Sequence, residues 1–321
     1  MSVSLPSSQL LQNAIDTLSI DNLLESGQTI QLRRMEVAVD LIKPEPLSDE
    51  YRAHRPYAVR EGGIPPRRPS ALGPPGNLVL SCSIDKEPIG DGRSSLVYEV
   101  QNEILSDPNV SVPPLVLKIA RNNMYFNIDF ALEKWFYDEM ESIQGVAIPR
   151  CYGLFKVGLS EDLASDVRPW KLPQATIRLE EQSVLDSNYS NDHDDIRMIK
   201  GEEDYLYVMV LERLGGMLPV GEPISEEDRN DVKGLYEDLG PFCVCLHWQV
   251  RHENILHAPV CPPGLAGKPS EVKKKTHNWR LVDFSSAFKQ ALSERQMLKL
   301  HMSWVERLLN GLPSGRLLEP F

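Results

Sequence analysis

Short apolar runs that end at glycine or polar turns dominate the middle of the chain, and they predict β-strands. The predicted strands lie in residues 78–80, 84–100, 115–120 and 205–211. Apolar positions recur at helical spacing in three other segments, residues 130–140, 225–246 and 287–311. This order predicts an α+β fold, with strands concentrated before the longer helices.

The first residues predict a short amphipathic helix. Within residues 8–25, four apolar residues share one helical face: Leu11, Ala14, Ile15 and Leu18. Such a helix would pack on its own domain or lie in a groove of a protein partner.

Proline, glycine and arginine mark residues 43–77 as a flexible segment, because this composition buries little apolar surface. The sequence thus divides into residues 1–77, with the helix and this segment, and a domain at residues 78–321. Two insertions are predicted within the domain. The first, residues 156–204, carries twelve Asp or Glu against six Lys or Arg. The second covers residues 257–278.

Composition and charge exclude several classes of function. The 321 residues carry a formal net charge of -12, so no global field attracts nucleic acid or an anionic membrane. No apolar stretch approaches the roughly 18 residues of a membrane span, and the first residues lack the pattern of a signal peptide. The five cysteines are scattered without the spacing of a metal site. We expect reduced thiols of an intracellular protein, cytoplasmic or nuclear.

A glycine turn and a lysine in the strand-rich part favour a phosphate site. Gly90 and Gly92 lie between two predicted strands, where glycine permits positive φ and a close approach of backbone N–H groups to phosphate oxygens. Lys118 is embedded in an apolar strand, and a buried ammonium group needs an anion. Glu133 follows 15 residues later in a predicted helix, so we expect it to pair with Lys118.

Two candidate metal ligands adjoin short apolar segments further along the chain. Asn254 precedes Ile255 and Leu256, and Asp283 follows Leu281 and Val282. An amide and a carboxylate oxygen at the ends of short strands suit a divalent cation beside a phosphate.

The order of these features resembles the protein-kinase-like fold. Residues 246–256, Leu-His-Trp-Gln-Val-Arg-His-Glu-Asn-Ile-Leu, are similar to its catalytic loop, and residues 281–287, Leu-Val-Asp-Phe-Ser-Ser-Ala, to its Asp-Phe-Gly metal segment. The pattern Gly-x-x-x-Pro-x-x-Tyr-Gly at residues 145–153 is similar to a group of fungal protein-kinase-like domains. The resemblance covers about residues 78–310 and implies a bilobal fold, with a β-rich N-lobe and a reduced helical C-lobe.

The resemblance also implies roles for individual residues. Lys118 would hold the phosphates of ATP and be positioned by Glu133. Asn254 and Asp283 would coordinate Mg²⁺, so ATP and Mg²⁺ are the implied cofactors. The remaining implied residues of the nucleotide site are Gly90, Gly92, Ser95, Val97 and the hinge residues Leu211, Glu212 and Leu214.

One position departs from the family pattern. The family's catalytic Asp lies five residues before the Asn, and that residue here is Gln249. An amide cannot accept a proton at neutral pH, and losing a general base typically costs about 10² to 10⁴ in rate. Only 38 residues (321 − 283) follow Asp283, without an Ala-Pro-Glu signature, which leaves little room for a peptide platform.

Three functional hypotheses therefore stay open. The first is a pseudokinase or weak phosphotransferase that binds ATP and Mg²⁺. The second is an active kinase for a protein or a small molecule, with Glu253 or His252 as an unusual base. The third is a scaffold without nucleotide, which binds a protein partner through the N-terminal helix or the acidic insertion.

Overall fold

Strands dominate the chain up to residue 212, and helices and loops dominate the remainder. The computed structural model describes residues 8–42, 48–55, 58–64, 66–67, 69–172, 194–202, 204–246 and 249–317. The chain divides into two compact units. Unit 1 comprises residues 1–42, 70–135 and 150–213, and unit 2 comprises residues 43–69, 136–149 and 214–321. The predicted α+β class is confirmed.

The secondary structure has the following bounds. The strands are β1 (Ser8–Gln9), β2 (Ile15–Asp21), β3 (Ile30–Met35), β4 (Leu78–Ile84), β5 (Gly90–Asp91), β6 (Ser95–Leu105), β7 (Val110–Ser111), β8 (Leu115–Ala120), β9 (Cys151–Gly158), β10 (Tyr205–Glu212), β11 (Val244–Cys245), β12 (Ile255–His257), β13 (Trp279–Leu281) and β14 (Phe288–Lys289). The α-helices are α1 (Asp49–His54), α2 (Met124–Glu139), α3 (Glu161–Asp166), α4 (Asp194–Lys200), α5 (Glu226–Leu239) and α6 (Glu294–Gly311). Short 3₁₀ helices cover Glu141–Ile143, Arg168–Lys171, Gly240–Phe242, His252–Asn254 and Leu312–Ser314.

Seven strands of unit 1 close into a barrel. Their order is β4-β2-β3-β9-β10-β8-β6, and a pairing of β6 with β4 completes the ring. Neighbouring strands are antiparallel except β2 and β4, which run parallel. The short strand β5 pairs with β6. The kinase resemblance implied a β-rich lobe, but nothing in the sequence indicated that its sheet would close.

Buried apolar side chains from the ring strands form one contiguous core in unit 1. Leu18, Leu80, Tyr98, Leu117 and Phe155, from five different strands, are all fully buried. A barrel with few strands has an interior just wide enough for side chains to fill. The core therefore holds β8 and its neighbours in a fixed register.

The predicted helix at residues 8–25 is wrong. Strand β2 occupies its centre, with Leu18 and Ile20 fully buried, whereas Leu11 is 57% exposed. Residues 17–20 alternate polar and apolar side chains and include β-branched residues, which suits a strand in a sheet. Because β2 pairs with β4, the predicted boundary at residue 77 separates two strands of the same barrel.

Part of the proline-rich segment is anchored on unit 2. The N–H group of Arg60 donates to the carbonyl oxygen of Ala291 at 2.9 Å, and its guanidinium lies 3.3 Å from the carboxylate of Glu294. Arg67 forms an ion pair with Asp138 at 3.2 Å. These described residues are therefore attached to the folded unit, in contrast to the flexible segment that composition predicted.

Two helices, α5 and α6, pack together in unit 2. The hydroxyl of Ser225 accepts a hydrogen bond from the N–H of Asp228 at 3.0 Å and so caps the N-terminus of α5. Arg229 on α5 donates to the carbonyl oxygen of Leu309 on α6 at 2.9 Å. The C-terminal helix begins at Glu294, later than the pattern from residue 287 indicated, because β14 precedes it.

The two predicted insertions have structured parts. Residues 156–158 belong to β9, and α3 and α4 also fall within the first insertion, of which residues 173–193 lie outside the described residues. In the second insertion, Lys273 lies 2.6 Å from the carboxylate of Glu237 on α5. Among the described residues, we find no helix of the length and apolarity needed to traverse a bilayer.

Candidate functional site

A buried ion pair joins Lys118 on β8 to Glu133 on α2. The ammonium nitrogen Nζ lies 2.6 Å from Oε2 of Glu133, and the side chains are 9% and 1% exposed. Nζ also lies 5.8 Å from the ring centre of Phe130, within the range at which an aromatic face attracts a cation. The structure therefore contains the pair that the sequence predicted.

Strand pairing explains why Lys118 is buried. Strand β8 lies between β6 and β10, with Val97 and Met209 as the residues opposite Lys118. Every residue of β8 is buried. Because an isolated charge in such a place carries a desolvation penalty of several kcal/mol, Glu133 is needed to keep the ammonium group there.

The glycine turn has a different basis from the one predicted. Neither Gly90 nor Gly92 has positive φ, so the turn does not use the left-handed conformation that glycine permits. The N–H group of Gly92 donates to the carbonyl oxygen of Ser95 at 2.9 Å. A Cβ atom on Gly92 would lie 3.3 Å from that oxygen, and one on Gly90 would lie 3.3 Å from Cβ of Val97. Glycine here serves close packing rather than unusual dihedral angles.

Arg121, which the sequence analysis did not single out, holds this turn with a buried side chain. Its Nε donates to the carbonyl oxygen of Gly92 at 3.1 Å, and its N–H group donates to that of Ser94 at 3.0 Å. It also forms an ion pair with Asp91. Arg121 directly follows β8, so the turn is fixed to the strand that carries Lys118.

The predicted hinge residue Glu212 has its carboxylate occupied by Arg150. The guanidinium of Arg150 donates to Oε1, and its N–H group donates to Oε2 at 3.1 Å, with both side chains buried. The side chain of Glu212 is therefore structural. Leu211 is buried at the end of β10, and Leu214, partly exposed, is the first residue of the next segment of unit 2.

A two-stranded hairpin in unit 2 brings Asn254 and Asp283 together. Strands β12 and β13 pair from Ile255 opposite Leu281 onward. The N–H group of Val282 then donates to the carbonyl oxygen of Asn254 at 3.0 Å. Both candidate metal ligands thus lie at the same end of the hairpin, each at the end of a short strand as the sequence predicted.

Gln249, Ser285 and Asp283 form a chain of hydrogen bonds. Nε2 of Gln249 lies 3.5 Å from the hydroxyl oxygen of Ser285, which lies 3.1 Å from Oδ1 of Asp283. The backbone oxygen of Gln249 accepts a hydrogen bond from Nδ2 of Asn254 at 3.2 Å. Gln249 is 6% exposed, and its Oε1 is buried without a hydrogen-bond partner in the described part of the chain.

The residues present fit a magnesium ion by their chemistry. Mg²⁺ is usually held by one or two protein oxygens together with water and substrate phosphates. Asp283 supplies a carboxylate, and Asn254 uses its amide nitrogen on Gln249, which leaves the amide oxygen for a cation. Asp283 has φ +64, a left-handed conformation that the surrounding structure must enforce. Across the described residues, no cluster of three or more His, Cys, Asp or Glu forms an all-protein metal cage.

The alternative bases His252 and Glu253 face one another. Nδ1 of His252 lies 3.1 Å from the carboxylate of Glu253, whose side chain is 54% exposed. Neither residue takes part in the hydrogen-bond chain between Gln249 and Asp283. His247 and Trp248, the second and third residues of the predicted catalytic loop, lie outside the described residues.

A second polar cluster in unit 2 was not predicted from the sequence. Nδ1 of His277 lies 2.8 Å from Oδ1 of Asp231, and its Nε2 lies 2.9 Å from Oδ2 of Asp238. Burial lowers the pKa of His277. Hydrogen bonds and the charges of Asp231 and Asp238 raise it by more than burial lowers it, so the pKa lies above the usual histidine value. A lone histidine in a polar loop gives no sequence signal for such an arrangement.

Comparisons with known proteins add little to this geometry. No protein-family model matches the chain, and no curated protein matches it. The chain is similar to the solved structure of vaccinia related kinase 3, with 15% sequence identity and a TM-score of 0.31. The match covers 63% of this chain and 47% of the other, so this chain spans about half of that protein.

Proposed function

We propose that the chain is a kinase-like domain that binds ATP with Mg²⁺ and has impaired or absent phosphotransfer. Lys118 would hold the phosphates, with Glu133 positioning its ammonium group, and Asn254 and Asp283 would hold the metal ion. Mg²⁺ would supply neutralisation of the phosphate charge. The observation that carries the proposal is the buried Lys118–Glu133 pair at 2.6 Å, in the order with Asn254 and Asp283 that a kinase-like fold requires.

The chemistry of Gln249 supports the impaired activity. Gln249 is tied through its side chain to Ser285, and its amide has no basic lone pair at neutral pH. The step that is missing is removal of the proton from an attacking hydroxyl group, worth about 10² to 10⁴ in rate. Binding and electrostatic positioning do not need that step.

We also propose an intracellular location, cytoplasmic or nuclear. Burial, with smaller contributions from Asp21 and Glu103, raises the pKa of Cys82 to about 12. A thiol in this state is protonated and unreactive at neutral pH, in keeping with a reduced structural cysteine.

The test is thermal unfolding of the full chain with Mg·ATP, with ATP and EDTA, and without nucleotide. Ligand at 100 times its Kd should stabilise the wild-type protein by about 2.7 kcal/mol. Lys118→Ala should remove most of the shift with or without metal, whereas Asp283→Asn should remove the part that needs Mg²⁺. Lys299→Ala, at an exposed lysine on α6, is the charge-matched control and should keep the full shift.

The outcomes separate the hypotheses. If saturating Mg·ATP leaves the thermal unfolding of the wild-type protein unchanged, nucleotide binding is refuted and the scaffold hypothesis is favoured. A shift accompanied by ATP turnover that Asp283→Ala abolishes would favour an active phosphotransferase. A shift without turnover supports the proposal.

A further inference from the structure

Ser285 lies at the centre of the hydrogen-bond chain, and its surroundings determine the direction of its hydroxyl proton. Ser285 is 5% exposed, so water does not readily replace its partners. An ionised carboxylate only accepts hydrogen bonds, so the hydroxyl donates to Oδ1 of Asp283. The hydroxyl oxygen is then the acceptor for the amide N–H group of Gln249.

We propose that Ser285 is a positioning residue that, supported by Gln249, orients the carboxylate of Asp283 for a divalent cation. This inference rests on the proposed function. The backbone at Asp283 is constrained as well, because the next residue, Phe284, is fully buried with its ring 5.2 Å from that of Tyr137. The side-chain contact of Asp283 with Ser285 and the packing of Phe284 therefore both constrain this candidate metal ligand.

The chain depends on an amide at position 249. Serine has one hydroxyl proton, so it cannot donate to two carboxylates at once. A carboxylate at position 249 would compete with Asp283 for that proton and place a second negative charge near the buried hydroxyl. Gln249 and Ser285 thus act as a matched pair in which the amide supplies the donor that the serine needs.

Loss of an outer partner of a metal ligand typically lowers metal affinity by about 10- to 100-fold. Ser285→Ala, which removes the hydroxyl, and Gln249→Glu, which replaces the donor by an acceptor of the same shape, should each reduce Mg²⁺ affinity to that extent. Because both act on the same chain, the double variant should lose much less than the product of the two single effects.

The experiment measures nucleotide binding to the full chain by calorimetry, first without metal and then at fixed ATP with increasing Mg²⁺. The wild-type protein, Ser285→Ala, Ser285→Gly and Gln249→Glu are compared. Ser303→Ala on α6 is the matched control, since its exposed hydroxyl donates to the carbonyl oxygen of Leu300 at 2.9 Å. We expect weaker Mg²⁺ dependence in the three site variants and unchanged affinity for metal-free ATP.

The readings distinguish this inference from the proposed function. Wild-type binding that depends on Mg²⁺, with the same dependence in Ser285→Ala and Ser285→Gly, would overturn the positioning role and leave nucleotide binding intact. An equal loss of metal-free and metal-bound affinity would also overturn it, because that result indicates a general structural defect. Absence of any Mg²⁺-dependent binding in the wild-type protein would overturn both.

Discussion

His277 links the second insertion to helix α5, and its removal should strongly destabilise the protein. The imidazole is fully buried between Asp231 and Asp238, which are 1% and 3% exposed. Its ring nitrogens lie 2.8 Å from Asp231 and 2.9 Å from Asp238, and these two contacts favour the protonated imidazole, in which both nitrogens donate. The perturbation we consider is His277→Ala.

The stability cost of His277→Ala depends on the hydrogen-bond and ion-pair partners that each carboxylate retains. Asp231 retains the ammonium group of Lys275 at 2.9 Å and the N–H group of Asn278 at 2.7 Å. Asp238 retains the hydroxyl of Ser270 at 2.7 Å as its described partner. His277→Ala thus leaves a buried charge without a counter-ion, a change that costs about 3 to 5 kcal/mol.

The contributions of His277 and Asp231 to the stability of the fold change with pH in opposite directions. The pKa of His277 is raised in the folded state, so its contribution is complete below the usual histidine pKa of about 6.5 and is lost as pH rises through the folded pKa. Burial raises the pKa of Asp231, but hydrogen bonds from His277 and Lys275 lower it more. Its contribution is therefore present above the usual aspartate pKa of about 3.9 and is lost as pH falls through the lowered value.

Urea unfolding followed by tryptophan fluorescence measures these effects. Trp279 is a local reporter, since its indole donates to Asp228 at 2.9 Å. The wild-type protein should lose stability when the pH is raised from about 6 to about 9, and His277→Ala should show a smaller loss. His54→Ala, at an exposed position on α1, is the control. The double variant His277→Ala with Asp238→Ala should be more stable than His277→Ala alone.

Two results would refute this reasoning. A cost below about 1 kcal/mol for His277→Ala would mean that no buried charge is left unpaired. The same dependence on alkaline pH in the wild-type protein and the variant would show that another group titrates.

Two further predictions test the barrel of unit 1. Leu18→Ala should lower the free energy of unfolding by about 2 to 5 kcal/mol because the side chain is fully buried. The control Leu11→Ala should change it by less than about 0.5 kcal/mol. Equal effects of the two variants in urea unfolding would argue against strand β2. Gly153→Ala should cost about 1 to 3 kcal/mol or more, because Gly153 has φ +139 and a Cβ atom would lie 2.8 Å from the guanidinium of Arg34. Gly216→Ala, with open space around Cβ, is the control, and a neutral Gly153→Ala would contradict the assigned backbone.

The sequence was informative where local pattern and chemistry coincide. The buried Lys118 requires an anion, and Glu133 lies at the spacing at which the following helix supplies one, so the pair was predictable. The positions of Asn254 and Asp283 beside short apolar segments likewise indicated the ends of strands, whereas the pairing of β12 with β13 came from the structure.

Features that depend on contacts between distant residues were not predictable. The apolar residues around Leu18 fit helical spacing, and only pairing with β4, about 60 residues later, makes them a strand. The link between Arg150 and Glu212 and the position of His277 between two aspartates also need the folded chain. The pattern of residues along the sequence does not identify contact partners that are distant in the chain.

Ring closure has a consequence for the way in which unit 1 can meet other molecules. Each of the seven ring strands is hydrogen-bonded on both sides, so the ring offers no open edge to which a foreign strand could add. Addition of a strand to the ring is blocked for the same reason, so a partner that binds the ring would contact its side chains or loops. Freeing strand β2 as a ligand would require breaking the ring and exposing the edges of β3 and β4.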